Sequence, residues 1–223
     1  VMTVPKEVTA DTGLDALSHG LECYVSAVAS DYTDPLALRA MQLIFKYLPK
    51  AYNNGHDAEA RERMHNAATI AGMAFTNAFL GINHALAHIL GATFHIPHGR
   101  ANAFMMVPVI RYNASQPKKL IAFPNYTYPK SRERYAEIAD TLKLKCSTPE
   151  EGVESLIKAI EDLKSQVGIP KTLREAGIPE EAFKAEIKRM AEIAFEDQCV
   201  VSNASYPLVE DLEKILWEAY NGQ

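Results

Sequence analysis

Apolar side chains recur at helical spacing along nearly the whole chain, and the pattern predicts an all-helical protein. In the first segment Leu14, Leu17, Leu21, Tyr24, Val25 and Val28 fall on one stripe, while Asp15 and His19 lie beside it and so border the core. Asp34 followed by Pro35 reads as an N-cap and a proline opening a second helix, which should stop near Pro49. A third helix is expected from about 57 to 77. Its small residues, Ala67, Ala68, Ala71, Gly72 and Ala74, are suited to close approach by another backbone. The histidine-bearing segment that follows should end at Gly91, and Pro108 should kink or break the apolar run after His98. Residues 116–131, with three prolines and three aromatics, read as an ordered excursion. Thr148, Pro149 and Glu151 combine a cap, a proline and a capping-box glutamate, launching a helix that should end near Gly168. Two more helices are expected, from about 180 to 195 and from about 207 to 220. With no repeat and no strong linker, residues 1–223 read as one helical domain.

Composition narrows the partners. A chain of 223 residues that is 48% hydrophobic and 23% charged is ordinary for a globular protein. Its net charge of -5 and scattered basic residues argue against a nucleic-acid or anionic-membrane partner. No apolar run approaches the roughly 18 residues of a membrane span, and the first residues lack the order of a signal peptide, so a cytoplasmic home is the expectation. Cys23, Cys146 and Cys199 have no metal or redox spacing and read as buried or partly buried thiols of a reducing compartment.

The chemistry concentrates in two places. Asp15 precedes His19 by four residues, one helical turn, so the two project from one face and can grip one ion. The stretch GINHALAHILGATFHIPHGRAN holds four of the seven histidines: His84, His88, His95 and His98. They are interleaved with Ile82, Leu86, Ile89, Leu90 and Ile96, where burying several imidazoles without a shared purpose would be costly. His56 and His65, in polar surroundings, read as surface or structural residues. A carboxylate with several imidazoles suits iron(II) or zinc. Periodicity leaves open which of the four histidines bind, and favours the His84/His88 pair. No glycine-rich phosphate turn, nucleophile elbow or P-loop accompanies these clusters.

The segments TADTGLDALSHGLECYVS, MHNAATIAGMAFTNAFLGINHALAHILGATFHIPHGRAN, FPNYTYP and FEDQC, followed by YPLVEDLEKIL, resemble the iron-dependent (group III) alcohol dehydrogenases. They are most similar to the alcohol dehydrogenase portion of the bifunctional aldehyde-alcohol dehydrogenases. The resemblance implies the helical metal-binding C-terminal domain of the dehydroquinate synthase-like fold, without the nucleotide-binding half that precedes it. Carried over residue by residue, it places the metal on Asp15, His19, His84 and His98. It puts His88 beside nicotinamide and substrate in a catalytic, proton-moving role, against the pairing that periodicity favours. It further implies Fe(2+), with zinc possible, NAD(H) bound mainly by the missing half, reversible reduction of acetaldehyde to ethanol, and a homo-oligomer or filament in the full-length protein. Two readings from other classes stand beside it: a metal-dependent lyase or hydrolase of related fold, and a non-catalytic assembly module. The chain departs from the family pattern at Ile89, where many relatives have a basic residue, and at Asn203-Ala204-Ser205, where they commonly read Asn-Pro-Arg.

Overall fold

A computed structural model of the chain describes residues 1–115 and 130–222. Among the described residues the regular structure is helical, with no strand. Nine α-helices follow in order: α1 Lys6–Val25, α2 Asp34–Asn53, α3 Ala58–Ala78, α4 Ile82–Phe94, α5 His98–Ala114, α6 Ser131–Thr141, α7 Pro149–Gln166, α8 Glu180–Phe195 and α9 Val209–Asn221. A short 3-10 turn, Gln198–Ser202, precedes α9. The expected excursion at 116–131 lies almost wholly outside the described residues.

Helices α1, α2 and α3 pack on one another, and α1 also packs on α5. Helix α5 in turn carries α4 and α9, α8 bridges α4 and α9, and α6 pairs with α7. Buried side chains of α1, α4 and α5, including Leu14, Leu17, Leu86, Leu90 and Phe104, merge into one core. The functional helices are therefore held from several sides. No helix among the described residues is long and apolar enough to cross a membrane.

Several helix boundaries differ from the pattern-based expectation, each for a local reason. Asp34 is the first residue of α2 rather than its cap, and its carboxylate accepts a hydrogen bond from Arg134 at 2.6 Å. Pro49 and Pro108 each lie inside a continuous helix. A proline forfeits one backbone hydrogen bond, but the buried residues beyond it, Ala51 in α2 and Val109 and Ile110 in α5, hold the chain in register. Gly91 does not end α4. It lets the Ile96 carbonyl approach to within 3.0 Å of where a Cβ would sit, and His95 makes the left-handed turn four residues after it, at φ 54° and ψ 37°. In α3, Ala67, Ala71 and Ala74 are fully buried as expected of a packing face, whereas Ala68 is exposed and Gly72 meets open space. The Thr148 hydroxyl caps α7 by accepting from the Glu151 N–H at 3.2 Å, but the Glu151 carboxylate accepts from Ser147 rather than closing the box on Thr148. Helix α7 ends at Gln166, and Gly168 follows at φ +71°.

Candidate metal centre

Helix α4 begins in the core, and its exposed N–H groups are satisfied by other elements. Gly81, its N-cap, has no side chain to offer. Instead Asn203 Oδ1 accepts from the Ile82 N–H at 3.2 Å, and Glu22 Oε1 accepts from the N–H groups of Asn83 and His84 at 2.8 and 3.3 Å. A carboxylate at a helix N-terminus also meets the positive end of the helix dipole. The other Glu22 oxygen, Oε2, is joined to His84 Nδ1 by a short hydrogen bond. This contact keeps a proton on Nδ1 and turns Nε2 away from Glu22, as an imidazole that ligates a metal requires.

His84 Nε2 then faces α1. It lies 3.7 Å from Asp15 Oδ1, and His19 Nε2 lies 3.9 Å from Asp15 Oδ2. One donor atom from each of Asp15, His19 and His84 falls within 4.8 Å of the others. The His19 ring stacks between Phe75 and His84, with ring centroids 4.5 and 4.8 Å away, so its orientation is fixed by packing. His98 arrives from the first turn of α5, its Nε2 3.3 Å from Asp15 Oδ1. Gly99 permits this approach, because a Cβ there would collide with the Asp11 carbonyl and come within 3.2 Å of Asp15 Cβ. Arg100 fastens the same turn to α1 through Asp11 at 3.0 Å.

Asn102, one turn beyond His98 and fully buried, shows how closely the donors converge. Its Nδ2 donates to Asp15 Oδ1 at 2.8 Å and lies 3.1 Å from His98 Nε2 and 3.3 Å from His84 Nε2. The amide is held by Asn83, whose Nδ2 donates to Asn102 Oδ1 at 2.7 Å. Asp15, His84 and His98 therefore surround one point, and His19 groups with Asp15 and His84 beside it.

His88 is placed elsewhere. Its side chain is 42% exposed and its Nδ1 lies 2.8 Å from Asp197 Oδ2, against the 3-10 turn that carries Cys199. His88, Asp197 and Cys199 form a second compact group. The His88 ring stacks on that of His98 at 5.3 Å, so it adjoins the first group without sharing its carboxylate. The pairing of His84 with His88 on periodicity alone does not match this geometry. One turn along α4 the burial changes, and with it the partner. His95, exposed at the end of α4, serves as its left-handed cap, and His56 and His65 are exposed.

The charges agree with a cation site. Burial alone would raise the Asp15 carboxyl, but its close approach to His84 and the other nearby imidazoles lower it instead. His19 is pushed down to about 4, first by burial, and His98 is lowered by burial as well. Burial also pulls His84 down, yet the Glu22 charge, the hydrogen bond to Glu22 and the nearby Asp15 carboxylate lift it to about 9. At neutral pH the group offers an ionised carboxylate and two neutral imidazoles, plus a third imidazole from which an ion must displace a proton. An oxygen and nitrogen set of this kind fits iron(II) or zinc.

Three supporting residues escaped the sequence reading: Glu22, Asn102 and Asp197. Two had a signal. Glu22 lies three residues after His19 and seven after Asp15, a charge on an otherwise apolar face, and Asn102 repeats the one-turn spacing after His98. Asp197 meets His88 only through tertiary packing.

Residues 9–220 match the model of the Fe-containing alcohol dehydrogenase family, C-terminal. The chain is 51% identical over 219 residues to aldehyde-alcohol dehydrogenase 2 of Entamoeba histolytica, covering 98% of this chain and 25% of that protein. It is 49% identical over 227 residues to the bifunctional aldehyde-alcohol dehydrogenase AdhE of Escherichia coli K12, covering 100% of this chain and 26% of that one. Among solved structures, an iron-containing alcohol dehydrogenase from Thermococcus thioreducens superposes with a TM-score of 0.86 at 35% identity, over 100% of this chain and 53% of that one. The chain thus spans about a quarter of these curated relatives and about half of that solved structure. With a family model matched over almost its whole length and a shared helical fold, the chain belongs to the Fe-containing alcohol dehydrogenase family, as its C-terminal part.

Proposed function

We propose that this chain is the metal-binding catalytic part of an alcohol dehydrogenase that reversibly reduces acetaldehyde to ethanol with NADH, within a bifunctional aldehyde-alcohol dehydrogenase. The observation that carries the reading is the convergence of Asp15, His84 and His98 on one point beside His19, in a chain of an iron-named family. Asp15, His19, His84 and His98 would hold Fe(2+), and zinc can take the same donors. When bound, the metal supplies a Lewis acid for the substrate oxygen and NADH supplies the hydride.

The chain's own residues set the conditions. Glu22 holds His84 by Nδ1, so that Nε2 is the nitrogen an ion takes once its proton is displaced, and Phe75 and the buried aliphatic side chains of α4 restrict water. Asp197 holds His88 by Nδ1, leaving its Nε2 to exchange a proton with the substrate oxygen, directly or through water. No glycine-rich phosphate cradle occurs in these 223 residues, so the nucleotide would be held mainly by the further length that the relatives carry. Similarity to the bifunctional enzymes supports a homo-oligomer or filament in the full-length protein. Three free cysteines support a reducing, cytoplasmic setting.

The test uses a dehydrogenase unit containing both this chain and the nucleotide-binding part, stripped of metal and reloaded without oxygen. Acetaldehyde reduction should be faster with iron(II) than with zinc at confirmed full occupancy, and residues 1–223 alone should oxidise negligible NADH. Equal or higher activity with zinc overturns the iron assignment. Robust turnover by the isolated 223 residues overturns the division of labour.

A further inference from the structure

Lined by none of the histidines, a cavity of about 200 Å³ lies among α5, α7, α9 and the loop after α7. Its apolar wall is Phe104, Val107 and Pro108 of α5. Into it comes Lys164, in the last turn of α7, only 4% exposed. Among the described residues no carboxylate or carbonyl takes a hydrogen bond or close ion pair from its Nζ, which stands over the Phe104 ring at 5.7 Å from the centroid. A buried lysine without a hydrogen-bonded or close ion-pair partner is unusual, because an ammonium removed from water is costly when only a ring face and more distant carboxylates offset the loss. It also has a chemical consequence, since a lysine relieved of its proton is a nucleophile.

We propose that Lys164 is a covalent acceptor for small aldehydes, condensing with them inside this cavity to form an imine. The neutral amine attacks the carbonyl carbon, the carbonyl electron pair moves to oxygen, and the resulting carbinolamine loses its hydroxyl as water as the carbon-nitrogen double bond forms. Nothing is oxidised or reduced. Nitrogen gives up two protons: the first goes to the carbonyl oxygen to complete the carbinolamine hydroxyl, and the second leaves with that hydroxyl as water. Glu218 of α9, half-buried on the same cavity, is the acid at hand: burial raises its carboxyl, against the opposing charge of Arg111. Around Lys164 itself, burial dominates and lowers the amine to about 8, although Glu161 and Glu175 pull the other way. The cavity also bears Arg111 and Lys171, so its charged lining is balanced in sign and does not select an anion. The apolar wall suits a short alkyl chain.

This inference does not rest on the metal or on hydride transfer, so it stands or falls separately from the function proposed above. The intact protein, incubated with acetaldehyde at neutral pH and treated with cyanoborohydride, should carry one ethyl group on Lys164. Peptide mass mapping should show that residue labelled roughly tenfold or more faster than the exposed Lys158 and Lys188. Lys164→Met, verified as folded by circular dichroism, should lose this fast label and keep the slow ones. Labelling of Lys164 no faster than of the exposed lysines, or a fast label that survives in the variant, overturns the proposal.

Discussion

His84 and His98 address the same Asp15 oxygen under opposite conditions. His84 is 1% exposed and gripped at Nδ1 by Glu22, while the Glu22 oxygen opposite also ties down the start of α4. His98 has a side chain 45% exposed, begins a helix, and takes its position from a glycine-mediated helix contact and a buried amide. One side of the centre is therefore a preformed wall, and the other opens toward solvent and the equally exposed His88. A site that must admit an ion and a substrate needs both: a fixed half that orders the donors in advance, and an accessible half through which reactants arrive.

The largest effects should come from removing the donors themselves. His84→Ala and His98→Ala should each lose most bound metal by elemental analysis, whereas His88→Ala should keep much of it. The two losses should differ in kind. Removing His84 leaves Glu22 buried at 5% exposure without its imidazole, which is expected to cost about 3–5 kcal/mol of stability as for a broken buried pair. Removing His98 should leave thermal unfolding nearly unchanged. If His88→Ala empties the site while His98→Ala retains metal, the helical pair of α4 is the true ligand pair and the assignment fails.

A smaller effect should follow from the support of the wall. Glu22→Gln keeps an oxygen for the α4 N–H groups but removes the charge that orients His84. Metal affinity should fall about 10–100-fold, as is usual when a ligand imidazole loses its carboxylate partner. Binding unchanged by chelator competition would mean that packing alone, rather than Glu22, positions His84.

The unequal legibility of these parts has a physical origin. Helical periodicity reveals which residues share a face, so α1 and the Asp15/His19 pair were readable from spacing, as α7 was from its cap and proline. It does not reveal depth. His84 and His88 have the same spacing as Asp15 and His19, yet the first is buried against α1 and the second is exposed beside Asp197. Only the family resemblance singled out His98, because its approach to Asp15 depends on the close contact of α1 and α5 at Gly99. The prolines misled for a similar reason: their local cost is fixed, while the packing that offsets it comes from distant sequence. Glu22 was legible in principle, since an acid on an apolar stripe requires a buried partner.

The finest distinction between the two sides is in protons. Asp15 is lowered and His19 sits near 4, so neither retains a proton that competes with an ion at neutral pH. His98 is lowered too, and the exposed side therefore opens without a proton to displace. His84 is the exception at about 9: it favours the doubly protonated ring, with one N–H toward Glu22 and the other toward Asp15. An ion can take Nε2 only after that second proton leaves. Apparent zinc affinity should accordingly rise about tenfold per unit from roughly pH 7 and flatten near the His84 value, with one proton released per ion bound. In Glu22→Gln the charge that raises His84 is gone, so the curve should flatten at lower pH and from a lower plateau. Competition titrations across that range, with proton release measured in weakly buffered solution, read both quantities. A wild-type affinity already flat at neutral pH would show that His84 enters the site unprotonated, and that Glu22 acts there only as a positional clamp.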